Sequence, residues 1–236
     1  MVYGWLKQAC DLLYSPYCIL CGDRGHASRE LCAGCLRDLP WNCYACEHCA
    51  APLPPATPGI PCGTCLKAPP PWDRALSPLL YTWPLDRLLQ RFKFNGDLAT
   101  GRLLGGLLAD FLAAAAIKPD LLIPVPLHAM RLRERGFNQA LELAQPVSRR
   151  LQLAIAQDLC VRTRDTAVQS RLDAAARQRN LRDAFAIRCP LDGAHVAILD
   201  DVVTTGATVT ALANTVRQAG ALQVQVWSLA RAARTP

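Results

Sequence analysis

Several features of membrane-spanning, secreted and hydrolytic proteins are missing from this sequence. No apolar run reaches the roughly 18 residues needed to cross a bilayer. The longest, Leu103 to Ile117, is broken by Asp110 and holds Gly105 and Gly106. Met1 to Tyr17 lacks a charged leading segment, a continuous apolar core and a small-residue cleavage site, so a secretory leader is not expected. The chain has 4 histidines (His26, His48, His128 and His195), and they are scattered. With no Ser/His/Asp set to accompany them, acyl transfer is not indicated. There is no G-x-x-x-x-G-K-[ST] phosphate loop, and no G-x-G-x-x-G follows a strand. Charged residues are only 19% against 51% hydrophobic, which rules out global disorder.

Cysteine and arginine, in contrast, are abundant. Ten of the 12 cysteines precede residue 66, and eight of the 18 prolines lie between Pro52 and Pro71. Beyond Trp72 the texture changes to apolar blocks alternating with Ala/Leu/Arg-rich blocks. These shifts divide the chain into an N-terminal amphipathic helix over 1–17, a cysteine-rich unit over 18–70 and a larger domain over 73–236. The cysteine-rich unit is too small to hold together by apolar burial alone and calls for metal. Of the 26 basic residues 22 are arginine, and the segment from Arg131 to Arg188 holds 12 arginines against 6 acids. Arginine suits planar, bidentate contact with phosphate.

In the larger domain, extended segments are expected at 76–83, 121–125, 158–161, 184–187, 196–199 and 222–229. Helices are expected at 85–93, 98–117, 137–151, 171–180 and 206–219. That alternation predicts an α/β fold: a mostly parallel sheet with helices on both faces.

The cysteines fall into Cys18-x-x-Cys21 with Cys32-x-x-Cys35, and Cys46-x-x-Cys49 with Cys62-x-x-Cys65. Two residues between thiolates let both sulfurs of a turn face one ion. Two such turns complete a tetrahedral zinc site. Four thiolates leave no open position, so the zinc is structural. One or two ions both fit the spacing. Cys43 lies close enough to Cys46 to compete as a ligand, and His48 is a minor candidate. Cys10, Cys160 and Cys189 read as buried small hydrophobes.

The most informative stretch is Val196-Ala197-Ile198-Leu199-Asp200-Asp201-Val202-Val203-Thr204-Thr205-Gly206-Ala207-Thr208. An apolar strand delivers two acids to the sheet's carboxyl edge, where open parallel sheets bind ligands. The turn then opens a helix whose first amides suit an anion. Thr204, Thr205 and Thr208 add hydroxyls, and Gly206 and Ala207 keep the turn small. Carboxylates repel phosphate but fit sugar hydroxyls. Acids beside a phosphate cradle therefore point to a phosphorylated sugar.

This stretch resembles the phosphoribosyl pyrophosphate (PRPP) loop of type I phosphoribosyltransferases. With the cysteine pairs, Phe92-Lys93-Phe94-Asn95-Gly96-Asp97, Pro124-Val125-Pro126, Arg135-Gly136-Phe137-Asn138-Gln139 and Arg177-x-x-Asn180 with Phe185, the chain is similar to the ComF family. That family joins a double zinc ribbon to a phosphoribosyltransferase domain. The resemblance implies that Asp200 and Asp201 accept hydrogen bonds from the ribose hydroxyls. Thr204, Thr205, Gly206, Ala207 and Thr208 would hold the 5-phosphate. Pro124, Val125 and Pro126 would lie beside the pyrophosphate, with His128 nearby. Arg131, Arg133 and Arg135 would sit on a mobile loop that closes over it, and Mg²⁺ would bridge pyrophosphate and ribose. No acceptor-recognising hood is evident, so the acceptor is not specified.

Two functional readings follow. One is a Mg²⁺-dependent transferase that releases pyrophosphate from PRPP. The other is a non-catalytic PRPP-sensing or single-stranded-DNA-binding protein, in keeping with the family's association with DNA uptake and competence proteins. Reduced, zinc-bearing cysteines point to the cytoplasm.

Overall fold

A computed structural model describes residues 16–55, 60–94, 96–115, 118–163 and 184–233. The expected helices at 1–17 and 171–180, with Arg177 and Asn180, fall wholly or almost wholly outside these residues, as does Asn95.

The described elements are α1 (Ala33–Arg37), α2 (Gly63–Lys67), β1 (Arg74–Leu76), β2 (Leu79–Leu80), α3 (Leu85–Phe94), α4 (Leu98–Ala114), β3 (Leu121–Pro124), α5 (Ala129–Arg135), α6 (Gln139–Leu151), β4 (Ala154–Ile155), β5 (Cys160–Arg162), β6 (Phe185–Ile187), β7 (His195–Val203), α7 (Ala207–Gln218) and β8 (Gln223–Arg231). The main sheet runs β1-β8-β7-β3-β4, with β2 also on β8, and every pairing in it is parallel. β5 and β6 form a separate antiparallel pair.

From β3 the chain passes through α6 to β4 on one side. From β7 it passes through α7 to β8 on the other. Right-handed crossovers running in opposite directions put α6 and α7 on opposite faces of the sheet. They also leave a crevice between the carboxyl ends of β3 and β7.

Each helix is fixed by its own pattern. Leu85, Leu88, Leu89 and Phe92 give α3 one buried stripe at helical spacing. Each of those fully buried side chains contributes about 1.5–3 kcal/mol. Asp97 caps α4, accepting from the Thr100 amide (3.0 Å) and hydroxyl (2.8 Å). The Thr100 amide is the main reason its carboxyl titrates lower than usual, with Arg91 helping. Gly105 lets α4 close on α6: a Cβ there would stand 2.8 Å from Pro146 Cγ. Asn138 caps α6 from the other end of the same packing unit.

Several expectations need correction. The extended segment at 76–83 is two short strands: β1, which starts earlier at Arg74, and β2, which ends at Leu80. Strand β4 has no counterpart among the expected segments, because Ala154–Ile155 is only two residues long. Strand β7 does not stop at Leu199. It runs on through Asp200, paired with Ser228, and Asp201 to Val203, which pairs with Arg231 of β8. Arg131, Arg133 and Arg135 do not sit on a loop but on α5, a run of good helix formers ended by Gly136 at φ 79°. Cys189 is exposed, following the end of β6 where no core covers it; Cys160 is buried, and burial pushes its thiol up to about 12.

The cysteine-rich unit shares one apolar core with the sheet, through Cys18, Leu31, Leu39 and Ala50. Backbone bonds seal the seam: Leu80 N–H to Pro40 O (2.8 Å), Asn42 N–H to Pro78 O (2.8 Å) and Ala75 N–H to Glu47 O (3.0 Å).

Candidate functional site

Two regions gather chemistry-bearing side chains. In the first, Cys18, Cys21, Cys32 and Cys35 form one group, and Cys46, Cys49, Cys62 and Cys65 a second. Within each group the ligand atoms lie within 4.8 Å of one another. The Cys21–Cys32 sulfurs are 3.6 Å apart and the Cys49–Cys62 sulfurs 3.7 Å. A zinc–sulfur bond of about 2.3 Å in a tetrahedron puts neighbouring sulfurs about 3.8 Å apart, so both groups fit the ion. The knuckle amides support the sulfurs: Cys35 N–H donates to Cys32 Sγ at 3.3 Å and Cys62 N–H to Cys46 Sγ at 3.2 Å. Burial opposes ionisation of Cys18 and Cys62. Hydrogen bonds from backbone amides and neighbouring thiols outweigh it and bring both down to about 6. Cys35 and Cys65 are pushed up, by burial first and then by the adjacent sulfurs. The protein thus has two zinc-binding sites, each of four cysteines. Cys43 is exposed and outside both groups, and His48 instead faces the Asp73 carbonyl at 3.2 Å.

The second region is the crevice at the ends of β3 and β7. It contains two adjoining hollows. One, of about 40 Å³, is walled by Val202 to Val209 together with Asp200. The other, of about 140 Å³, is lined by Lys93, Val125, Leu127, Arg135, Asn138, Gln139, Ala140, Arg162, Asp200, Asp201 and Thr208. Asp200 and Thr208 belong to both.

The smaller hollow is built by its turn. Gly206 stands at φ 85°, a left-handed conformation that side chains resist, and forms the N-cap of α7 without a capping side chain. Thr205 Oγ1 accepts from the Ala207 amide at 3.3 Å. The first amides of any helix lack partners inside it and carry its positive dipole end, so this turn presents a cradle for an anion.

The larger hollow mixes both signs of charge. Asp200 Oδ1 accepts from the Asp201 amide at 2.9 Å, and Asp201 Oδ1 from the Val202 amide at 2.6 Å. Lys93 Nζ lies 2.6 Å from Asp201 Oδ2, and both side chains are largely buried. Burial, then the neighbouring Asp201 charge, push the Asp200 carboxyl up to about 7; the Asp201 amide, Lys93 and Arg162 act against that rise. Arg135 donates to Gln139 Oε1 at 3.0 Å and stacks over Phe94 at 5.7 Å. Asn138 Nδ2 donates to Val125 O at 3.1 Å, tying the start of α6 to the end of β3.

The crevice therefore unites Asp200, Asp201, Thr204, Thr205, Gly206, Ala207, Thr208, Val125 and Arg135. Pro124 is buried as the last residue of β3, and Pro126 follows it outside the lining. Arg131 and Arg133 sit on α5 outside the lining, as does His128 at its N-cap. Sequence reasoning leaves Lys93 and Gln139 without roles, although both lie in the blocks that carry the family resemblance.

It also misses Arg231. This side chain is 1% exposed, and its guanidinium donates to Cys49 O (2.9 Å), Val203 O (2.6 Å), Thr204 O and Ala232 O (3.2 Å). It joins the carbonyl of a zinc ligand to the turn of the smaller hollow. Trp72 closes the same seam: its indole donates to His48 O, and its ring edge lies 3.7 Å from where a Gly206 Cβ would be.

A double zinc ribbon domain family matches residues 9–66. The DNA utilization protein YhgH of Salmonella typhimurium is 40% identical over 206 residues, which cover 85% of this chain and 90% of that protein. Competence protein F of Haemophilus influenzae is 36% identical over 226 residues, 91% of this chain and 96% of that one. This chain belongs to the ComF family. A solved purine phosphoribosyltransferase from Pyrococcus horikoshii superposes at a TM-score of 0.32 and 17% identity, over 54% of this chain and 80% of that one. The ComF chain has a zinc-ribbon unit followed by an α/β domain built on a mostly parallel sheet. No helix among the described residues is long and apolar enough to cross a membrane.

Proposed function

We propose that this ComF protein binds PRPP in the crevice between β3 and β7 and transfers its phosphoribosyl group with release of pyrophosphate. One observation carries the reading: an anion cradle and a hollow of mixed charge adjoin and share Asp200 and Thr208. A ligand with one phosphate, a central diol and a second anionic end matches that arrangement. Residues Thr204 to Thr208 hold the 5-phosphate. Asp200 and Asp201 accept from the ribose hydroxyls. Arg135 faces the departing charge. Positioning and charge compensation are sufficient work for the protein, because the sugar carbon gives up its leaving group readily. Asp200 and Asp201 in the larger hollow would help to hold Mg²⁺, which would supply positive charge to the leaving group.

The deciding experiment is calorimetric titration with PRPP, with and without Mg²⁺, on wild type and on Asp200→Asn/Asp201→Asn. Pyrophosphate release is measured on the same samples with nucleobases and nucleic acids as acceptors. Binding by wild type, at least tenfold weaker in the variant, is the expected result; absence of binding by wild type overturns the reading.

A second reading keeps PRPP binding but replaces turnover with handling of single-stranded DNA. Its support is a groove of about 660 Å³ on α3, lined by Trp83, Arg87, Gln90, Arg91 and Phe94. Trp83 is 74% exposed and Phe94 72%. Exposed rings on which bases stack, interleaved with arginines for phosphates, are how non-sequence-specific single-strand binders work. The names of the relatives, DNA utilization protein and competence protein, agree with it. Fluorescence anisotropy with a labelled oligonucleotide should show binding that falls steeply with salt and weakens at least tenfold in Trp83→Ala/Phe94→Ala. No binding at about 50 mM salt would reject it.

A further inference from the structure

Two groups in the larger hollow have no role so far: Lys93 and Gln139. Gln139 is the more telling. It is 2% exposed at the first position of α6, and it lines the hollow. Its Oε1 accepts from Arg135 at 3.0 Å, which fixes the amide so that Nε2 is the other end. Nε2 is buried and has no hydrogen-bond acceptor among the described residues. A buried donor held in place without a partner, on the wall of a charged hollow, is a donor waiting for a ligand oxygen. Lys93 tells the same story from a different element. It comes from α3, far away in sequence, yet its ammonium enters the hollow and pairs with Asp201 at 2.6 Å. Ribose hydroxyls arriving at Asp201 compete for that carboxylate. An ammonium on a flexible stem can swing to a nearby anion.

We propose that Lys93 and Gln139 are further ligand-binding residues, which with Arg135 recognise the diphosphate end of the bound sugar. Gln139 Nε2 donates to a diphosphate oxygen. Lys93 leaves Asp201 to the ribose and moves its charge to the same anionic end. The assignment rests on the PRPP reading above, and it gives the two ends of the crevice different roles. The turn before α7 reads the 5-phosphate, and α3 and α6 read the opposite end.

The test compares two ligands by calorimetric titration in Mg²⁺: PRPP, and ribose 5-phosphate, which lacks the diphosphate. Lys93→Met and Gln139→Leu should each weaken PRPP at least tenfold, and neither should weaken ribose 5-phosphate by more than twofold. Gln139→Glu guards against a folding defect. It keeps the shape and the bond to Arg135 but removes the donor and adds a negative charge, so PRPP should weaken further than with leucine. The double variant Lys93→Met/Asp201→Asn separates ligand contact from simple neutralisation of Asp201. Losses that add support the contact; a double variant no weaker than Asp201→Asn alone overturns it. Equal effects on both ligands also overturn the inference while leaving PRPP binding intact. Wild type that binds neither ligand removes both readings together.

Discussion

The zinc ribbon and the crevice of the sheet both hold charged groups close together, but they do so on different length scales. In the ribbon, turns of two residues bring thiols into pairs. Each group of four then spans only 18 positions, from Cys18 to Cys35, or 20, from Cys46 to Cys65. In the crevice, Lys93, Arg135, Gln139 and Asp200 arrive from α3, α5, α6 and β7, and only the folded sheet brings them together. The ribbon depends on an ion for its cohesion. The crevice depends on the packing of layers behind it. Damage to the first should cost fold before function, and damage to the second function before fold.

The sharpest way to break that contrast is to remove ligands from the second zinc group. Apparent zinc-binding energies of such sites are about 10–16 kcal/mol. Cys46→Ser/Cys49→Ser should halve the zinc content by elemental analysis and lower the thermal midpoint by more than about 10 °C, read by circular dichroism. An unchanged melting curve would mean that the ribbon is held by its shared apolar core instead.

Arg231 crosses between the regions, so it tests whether they are separable at all. Arg231→Met leaves the carbonyls of Cys49, Val203 and Thr204 short of a buried donor and should cost about 3–5 kcal/mol in urea unfolding. PRPP affinity should fall with it, because the turn of the smaller hollow loses its support.

Asp200 gives a pH signature confined to the crevice. Its carboxyl is raised from 3.8 to about 7, so the folded state holds the proton more tightly than the unfolded chain. That contribution is favourable below pH 3.8 and is lost as pH rises towards 7. Asp200→Asn should therefore be about 1–3 kcal/mol more stable than wild type at about pH 8, and equal to it near about pH 4. PRPP binding by wild type should strengthen as pH rises through about 7, since the ionised carboxylate is the better acceptor for hydroxyls, and the variant should lose that slope.

The smallest effect is expected at Gly206. Ala at φ 85° costs about 1–2 kcal/mol by backbone strain alone, because the added methyl makes only ordinary contacts, with Trp72 at 3.7 Å and with Val203 and Val209 at 4.0 Å. Chemical denaturation should show that modest loss, together with weaker binding of the 5-phosphate.

What could be read in the linear chain follows the same division of scale. Both ligand groups of the ribbon were legible because zinc sets the spacing within each knuckle. Two groups of four sulfurs then settle the share of Cys43, which stays outside. The run from Val196 to Thr208 was legible for a like reason: strand, acids, turn and helix start are consecutive. The helix at α5 was missed because His128 and Gly136, which bound it, are weaker marks than the arginines between them. Arg231 was beyond reach, since nothing in Leu229-Ala230-Arg231 signals that a closing strand will hand a guanidinium to four carbonyls. Lys93 and Gln139 belong to short sequence blocks, but they come together only where α3 and α6 meet the sheet edge.

The parting of the two crossovers has one more consequence. The gap between β3 and β7 is produced by the route of the chain, not carved out by the side chains along it. Its walls can therefore be rewritten one residue at a time while the scaffold beneath keeps its shape, and a lineage could retune or silence the chemistry there without learning to fold again.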